Sequence, residues 1–318
     1  MKKDQRVRNI MANPAENNVK NESPAQENKM GVMPVGKLLF TMSLPIMISM
    51  LVQALYNVVD SMFVARVSEN ALTALSMAFP IQNLMIAVST GLGVGLNAVL
   101  SRALGAKDEK GVNRAATNGI MLLFICGLVF MLGGATIVRP YFEMQTDIAE
   151  IVESGVDYTT IVMLGSMGIF MQILFERLLQ STGRTLLTMV SQGVGAIANI
   201  ILDPIFIFGL FGVPKMGVAG AAYATILGQW IAAAIGLVMN IRKNPEVSIS
   251  MKGFRPHGAT IRRILSIGIP SVVMQSIGSV MTFLMNQILI AFSATAVAGF
   301  GVNFKLQSFV FMPVFGLN

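Results

Sequence analysis

The sequence has 318 residues, of which 54% are hydrophobic and 12% charged, about half the roughly 25% charged residues of soluble domains. This composition excludes a soluble globular domain and predicts a protein embedded in the membrane. With one cysteine, Cys126, and one histidine, His257, the sequence offers no intrachain disulfide, metal-ligand cluster or nucleophile triad, which argues against an enzyme.

Residues 1–33 form a polar segment of mixed charge that is nearly free of aromatic side chains. Such a segment cannot bury enough apolar surface to fold, and it lacks the hydrophobic stretch of a signal peptide. It is therefore predicted to be a disordered cytoplasmic tail. Eight apolar runs follow, each long enough for a helix of about 20 residues to cross a bilayer. They lie near 38–63, 71–100, 116–138, 158–180, 186–211, 217–241, 264–292 and 296–318.

The distribution of charge predicts the orientation of these spans. If the tail is cytoplasmic, 19 of the 23 basic residues lie on its side of the membrane, and the loop at 139–157 on the other side is acidic. This is the positive-inside pattern, so the net charge of +7 reflects topology and requires no nucleic-acid partner. We expect a multi-pass protein of the cell (plasma) membrane with a cytoplasmic amino terminus. His257, in the basic loop after span six, is expected to be solvated.

An internal repeat relates the first and the seventh spans. When the sequence is shifted by 225 residues, residues 43–85 fall without a gap on 268–310, and Pro45 meets Pro270 while Phe79 meets Phe304. Because both copies then enter the membrane from the same side, they are related by an axis along the membrane normal.

The predicted fold is an all-α polytopic membrane protein with a six-helix N-lobe and the first two helices of a repeated six-helix C-lobe. The predicted divisions are a disordered cytoplasmic tail at 1–33, the N-lobe at 34–241, a basic cytoplasmic inter-lobe loop at 242–262, and the opening of a truncated C-lobe at 263–318. A complete second copy would make the protein about four helices longer.

Two carboxylates lie inside apolar runs, Asp60 in span one and Asp203 in span five. A charged group within the bilayer costs several kcal/mol and usually marks a functional site, although a structural hydrogen bond between helices is the alternative. Asn199 lies one helical turn before Asp203 and shares its face. Pro204 lacks an N–H and crowds the carbonyl of Ile200, so the helix is predicted to bend there and leave a carbonyl oxygen free near both side chains.

Further polar side chains recur at helical spacing within the spans, where they either face a substrate cavity or join helices by hydrogen bonds. The candidates for the cavity are Gln53, Asn57, Asn83, Gln192, Gln229, Gln275, Thr282 and Asn286, and Thr225 pairs with Gln229 in span six. Under the repeat, Asp60 corresponds to Met285, so the acidic charge is confined to the first lobe. The glycines at 91, 93 and 95 indicate close packing of helices.

The sequence resembles the multidrug and toxic compound extrusion (MATE) family. The resemblance rests on LPIMISMLVQALYNVVDSMFVARV, AFPIQNLMIAVSTGLGVGLNAVLSRALGAKD and ANIILDPIFIFGLFGVPKMGVAGAAYATILGQ, and it extends over residues 34–318. It implies two six-helix lobes and alternating access by rocking of the lobes. It also implies that Asp60, Asn199, Asp203 and Thr225 form the ion-coupling site, with a possible Na⁺ at the first three. The acidic residues of the second lobe in some branches have no counterpart in the covered part of span seven.

The resulting hypothesis is a monomeric secondary antiporter in the lipid bilayer that exports small organic cations in exchange for H⁺ or Na⁺ and uses no other cofactor. Two neighbouring buried carboxylates cannot both remain ionised at low cost, so they are suited to sharing a proton or taking up a cation. The alternative is a flippase of lipid-linked precursors from the same wider superfamily. That function handles anionic pyrophosphate, and Lys305 in the eighth span is the feature that favours it.

Overall fold

The computed structural model describes residues 33–247 and 255–315, and within these ranges the chain is helical without a strand. All of the predicted tail except Met33 lies outside the described residues. The helices are α1 (Val35–Ala65), α2 (Glu69–Gly105), α3 (Glu109–Gly134), α4 (Val138–Glu143), α5 (Ala149–Leu164), α6 (Met167–Ser181), α7 (Thr185–Phe208), α8 (Val218–Lys243), α9 (Gly258–Ile290) and α10 (Ala294–Phe315), with a 3₁₀ turn at Leu210–Gly212.

Most of the predicted spans correspond to single long helices. Among the described residues, α1, α2, α3, α7, α8 and α9 are long and apolar enough to cross a membrane, and α5 with α6 forms a further span bent by 46°. The eighth predicted run forms α10, of 22 residues. It is not among those six because Asn303, Lys305 and Gln307 interrupt its apolar sequence. The fold is therefore the predicted multi-pass helical membrane protein.

Polar side chains at the ends of the helices determine where several of them begin. Ser68 accepts a hydrogen bond from the N–H of Ala71 at the start of α2 (3.0 Å), and Asp108 accepts one from Gly111 at the start of α3 (3.0 Å). Each bond satisfies a donor that the first turn of a helix leaves free. At the carboxyl-terminal end of α7, Gly209 adopts a positive φ of 75°, which glycine reaches without strain and which ends the helix.

The segment between α8 and α9 is shorter than the predicted inter-lobe loop, because α8 continues to Lys243 and α9 begins at Gly258. The sequence predicted a solvated His257, but in the structure this residue makes two hydrogen bonds. Its Nδ1 accepts a hydrogen bond from the N–H of Thr260 (3.3 Å), and its own main-chain N–H donates to Oδ1 of Asn118 (3.0 Å). His257 therefore caps α9 and attaches its first turn to α3.

The packing of α2 against α10 is consistent with the predicted repeat. The rings of Phe79 and Phe304, which are 225 residues apart, lie 5.5 Å from centroid to centroid. Ser76 and Gly301, which are also 225 residues apart, are in contact. Equivalent residues of two copies can touch only where they lie on the axis that relates the copies. An axis between α2 and α10 therefore accounts for both contacts.

The helices α2 and α9 approach each other at backbone distance. A Cβ atom at Gly91 would lie 2.7 Å from the main-chain nitrogen of Val272, and a Cβ atom at Gly268 would lie 3.2 Å from the carbonyl oxygen of Gly91. Gly95 faces the carbonyl oxygen of Ile264 at a still shorter distance. The glycines thus serve close helix packing, as the sequence indicated, and they join the first repeat to the start of the second.

Candidate cation site

The predicted residues of α7 and α8 meet inside the first lobe. Nδ2 of Asn199 lies 3.5 Å from Oδ1 of Asp203 and 3.4 Å from Oγ1 of Thr225, and donates to both. The two helices can come this close because glycine has no side chain. A Cβ atom at Gly228 would lie 2.8 Å from the carbonyl oxygen of Gly195. One turn further along α7, this close approach places Asn199 opposite Thr225.

Asp60 lies on α1, which packs along α7. Its side chain is buried. We call Asp60, Asn199, Asp203 and Thr225 the acidic site. The structure joins Asn199, Asp203 and Thr225 by hydrogen bonds and places Asp60 on a helix packed against α7, and the role of the four residues in ion coupling stays a prediction.

Three oxygen atoms of the acidic site are buried without a hydrogen-bond donor: Oδ1 of Asp60, Oδ1 of Asn199 and Oδ2 of Asp203. Asp203 is 0% exposed and Asn199 is 2% exposed. A buried acceptor without a donor is costly, and a buried carboxylate more so. Such a set of oxygens is suited to a proton or to a cation with oxygen ligands.

A narrow cavity of about 20 Å³ extends from the acidic site between α1, α6, α7 and α8. This volume holds roughly one water molecule, so it admits a small ion but excludes an organic cation in this conformation. Its polar lining consists of Gln53, Tyr56, Gln172, Gln192, Asn199, Thr225 and Gln229. Nε2 of Gln192 donates to Oε1 of Gln53 across the cavity (2.8 Å), and Ser49 donates to Gln192.

Two of these lining residues, Tyr56 and Gln172, were not predicted from the sequence. Tyr56 follows Gln53 by three positions and therefore shares its helical face, which is a signal that could have been used. Gln172 is one of two glutamines in α6, and nothing in its spacing distinguishes it from a residue that joins helices.

Other predicted cavity residues lie where α2 packs against α9, outside this cavity. Nδ2 of Asn83 donates to Oγ of Ser279 (2.8 Å), and Oγ1 of Thr282 donates to the carbonyl of Gly278 (2.8 Å). Nε2 of Gln275 donates to the carbonyl of Ser271 (3.3 Å). In this conformation these side chains make hydrogen bonds within and between helices. A role in joining helices was the alternative to a cavity lining that the sequence left open.

Asn286 satisfies a backbone group that a proline leaves free. Pro80 lies inside α2 and cannot donate to the carbonyl of Ser76, four residues earlier. Nδ2 of Asn286, from α9, donates to that oxygen instead (3.1 Å). Asn286 is therefore a cross-repeat hydrogen-bonding group. Asn57 has a local role through its main chain, because its carbonyl accepts a hydrogen bond from Oγ of Ser61 (2.8 Å).

Pro204 lies within α7, one residue after Asp203, and the helix continues through it to Phe208. The ring removes the hydrogen bond that would otherwise reach the carbonyl of Ile200. The local bend and the free carbonyl near the acidic site stay predictions.

Glu176 and Arg177 are consecutive residues of α6 and do not form an ion pair with each other. Consecutive residues of a helix point in different directions, so each finds a partner on its own face. Glu176 is buried and accepts a hydrogen bond from Nε2 of Gln172 (2.9 Å), while Nη1 of Arg177 donates to Oε1 of Gln180 (2.8 Å). The buried carboxyl group therefore lies next to Gln172 of the cavity lining.

Comparison with known proteins identifies the family. The MatE family signature matches residues 45–205, about half of the chain. The probable multidrug resistance protein NorM of Thermotoga maritima is 29% identical over 304 residues, which cover 94% of this chain and 63% of that protein. The multidrug export protein MepA of Staphylococcus haemolyticus is 28% identical over 287 residues, covering 89% of this chain and 62% of that protein.

The fold matches a solved transporter as well. The structure of the MATE multidrug transporter DinF-BH in complex with R6G superposes with a TM-score of 0.84 at 30% identity, over 90% of this chain and 64% of that one. The chain thus spans less than two thirds of the length of these relatives. On its sequence signature and on its fold, the chain belongs to the MatE family of membrane transporters and is not an enzyme.

Proposed function

We propose that the chain forms the ion-binding lobe, with the opening of the second lobe, of a secondary antiporter that exports small organic cations in exchange for H⁺ or Na⁺. The observation that carries this proposal is the set of three buried oxygens without donors on Asp60, Asn199 and Asp203. The names of the relatives, which are multidrug resistance and export proteins, support the cargo class. Acidic side chains within the membrane attract cations and disfavour anions.

The exchange follows from competition for the same negative charge. Entry of a proton or Na⁺ neutralises the acidic site, which lowers the affinity of the transporter for an organic cation. Binding of another organic cation from the cytoplasm then favours release of the bound ion. The cavity of about 20 Å³ accommodates the small ion alone, so the organic cation must bind in a conformation in which the lobes have moved apart. Alternating access of a monomer in the cell membrane, with its amino terminus in the cytoplasm, completes the proposal.

Accumulation of a fluorescent organic cation in cells that lack their own efflux pumps tests this function. The cells express the full-length protein, Asp203→Asn, or Asp147→Asn, which makes the same chemical change at an exposed loop position, at matched membrane levels. We expect the parent and Asp147→Asn to lower accumulation and Asp203→Asn to leave it high. Equal accumulation in all three and in cells without the protein contradicts export of organic cations. Purified protein in liposomes with an imposed pH or Na⁺ gradient then identifies the ion.

Lys305 is the residue that favours the alternative function, a flippase of lipid-linked precursors. It brings a positive charge from α10 to Ser61, directly after Asp60, and a flippase of lipid-linked pyrophosphates requires positive charge in its cavity. Under that function, Lys305→Gln abolishes translocation of a labelled pyrophosphate lipid in liposomes, and Asp203→Asn leaves the cation assay unchanged.

A further inference from the structure

The amino-terminal ends of α2 and α10 meet in a contact between the two repeats that the function proposed above does not use. Oγ1 of Thr295 donates a hydrogen bond to Oε1 of Glu69, and Oγ1 of Thr73 donates one to a main-chain carbonyl of α10, that of Ala294 (3.1 Å). About one turn further along α2, Ser76 lies against α10 as well. The residues of this contact, which we call the α2–α10 seam, are Glu69, Thr73, Ser76, Ala294, Thr295 and Gly301.

The first turn of α2 is attached to its own repeat by a separate bond. Nδ2 of Asn70 donates to Oε2 of Glu150 at the start of α5 (2.6 Å). Asn70 corresponds to Thr295 under the 225-residue shift. Glu69 corresponds to Ala294, so only the first repeat supplies a carboxylate at the seam. The end of α2 therefore belongs to the first repeat, and a movement of the second repeat would be taken up at the seam.

The hydrogen bonds of the seam can be exchanged at little cost in free energy. Glu69 and Thr295 are exposed, so water can replace the bond between them. The hydroxyl of Thr73 also lies 3.1 Å from the carbonyl of Glu69 in its own helix. The hydroxyl of Ser76 donates to the carbonyl of Leu72 (2.9 Å). The polar side chains of α2 at the seam therefore keep a partner when α10 moves away.

The contact between α2 and α9 has the opposite character. Asn286, which is 0% exposed, bonds the carbonyl of Ser76 that Pro80 leaves free. Gly91 meets α9 at backbone distance. Separation of these two helices would leave the carbonyl and the amide without partners inside the membrane, which costs more than exchanging a bond with water. The second repeat is therefore expected to turn about the α2–α9 contact, with α10 leaving α2.

We propose that the α2–α10 seam is the gate on the outer side of the transporter and that the bond from Thr295 to Glu69 holds it closed in this conformation. With the amino terminus in the cytoplasm, the turn between α1 and α2 faces outside, where the cargo is released. Release requires α10 to leave α2, while α2 and α9 stay packed. This inference rests on the export function proposed above and adds which contact between the repeats opens.

Thiol labelling measures opening of the seam without a cargo. Ser76, at the seam, and Ser279, at the α2–α9 contact, are 3% and 4% exposed, so Ser76→Cys and Ser279→Cys form a matched pair. The full-length protein carries one of them as its only cysteine, with Cys126→Ala, in lipid nanodiscs that leave both faces open to a charged methanethiosulfonate reagent. A residue that is buried in the closed state reacts at a rate proportional to the population of the open state.

Thr295→Val removes the hydrogen-bond donor of the gate and keeps the shape of the side chain. Thr136→Val is the control, because Thr136 is also exposed and bonds the carbonyl of Gly133 in its own turn. We expect Thr295→Val to raise the labelling rate of Ser76→Cys roughly two- to tenfold, as for the loss of one hydrogen bond, and to leave Ser279→Cys unchanged. Thr136→Val should change neither rate. A labelling rate of Ser76→Cys that does not respond to Thr295→Val, or an equal rise at both cysteines, overturns the gate.

Cross-linking then tests whether export needs the gate. Glu69→Cys with Thr295→Cys joins the seam through a short bis-methanethiosulfonate linker. Asn83→Cys with Ser279→Cys joins α2 to α9 through the same linker and is the control. We expect the linker to abolish export of the fluorescent organic cation in the first pair alone, and a reducing agent to restore it. Undiminished export with the seam cross-linked contradicts the proposal, and so does an equal loss in both pairs.

Failure of this inference and failure of the proposed function give different results. If the parent does not lower accumulation of the organic cation, export is refuted, and the labelling rates still decide whether the seam opens. If the parent exports the cation but Thr295→Val leaves the labelling of Ser76→Cys unchanged, export stands and the gate is refuted.

Discussion

The close approach of α7 and α8 makes opposite predictions for two glycines on the same helix. A Cβ atom at Gly195 would lie 2.7 Å from Cβ of Ala232 and 2.8 Å from the carbonyl oxygen of Gly228. Gly193 has no atom within 4 Å of the same position. Ordinary contact between carbon atoms requires about 3.5–4.0 Å, so Gly195→Ala must move α8 away by roughly 1 Å.

The two substitutions differ in stability and in their effect on the acidic site. Gly193→Ala should stabilise by about 0.5–1 kcal/mol through helix propensity, whereas Gly195→Ala should cost about 1–3 kcal/mol through overpacking. The same displacement would lengthen the contact between Asn199 and Thr225, now 3.4 Å, beyond hydrogen-bonding range. Gly195→Ala should therefore weaken ion binding, and Gly193→Ala should leave it unchanged.

Thermal unfolding of the purified protein in detergent measures the first effect, and the rise in melting temperature on addition of Na⁺ or acid measures the second. Gly193→Ala is the matched control because it makes the same change two residues away on the same helix. A Gly195→Ala protein as stable as Gly193→Ala, with parental ion binding, would refute the close packing of α7 on α8 and its role in assembling the acidic site.

Three further predictions concern single contacts. Asn286→Ala should destabilise by about 1–3 kcal/mol, because it leaves the carbonyl freed by Pro80 without a donor, and an unchanged melting temperature would contradict that pairing. Asp108→Ala should cost about 1 kcal/mol through loss of the cap of α3, and rescue by Asp108→Ser in the same melting assay checks the mechanism. Arg139 lies 3.1 Å from Glu153 and 3.5 Å from Glu143, and the hydrogen bonds raise its pKa, but all three are exposed. Arg139→Gln should therefore leave the melting temperature unchanged between pH 6 and pH 9, and a clear loss would show that the loop contributes to stability.

The sequence was sufficient for the class of protein, for most spans and for the first-lobe ion candidates. Long apolar runs have few alternatives to membrane-spanning helices, because a bilayer leaves no other way to satisfy the backbone. Asp60 and Asp203 stood out for a related reason, since a carboxylate inside such a run is too costly to be incidental. The spacing of Asn199 and Asp203 then predicted a shared helical face, and the structure joins the two by a hydrogen bond.

The partners of individual side chains depended on how the helices are rotated and paired. Helical periodicity states which residues share a face of one helix, but it does not state which helix that face meets. For this reason Asn83 and Asn286 resembled cavity residues in the sequence, whereas the tertiary structure places them between α2 and α9.

Lys305 shows most clearly the difference between what the sequence determined and what the tertiary structure decided. In the sequence it was a single positive charge in the last apolar run, 244 residues from Ser61 and without a visible partner. The packing of the second repeat against the first brings it to the residue after Asp60. Composition and periodicity determined that this chain is a bundle of membrane helices with buried acids. Only the tertiary structure decided that Lys305 bonds Ser61, the residue after Asp60, because that contact joins helices far apart in the chain.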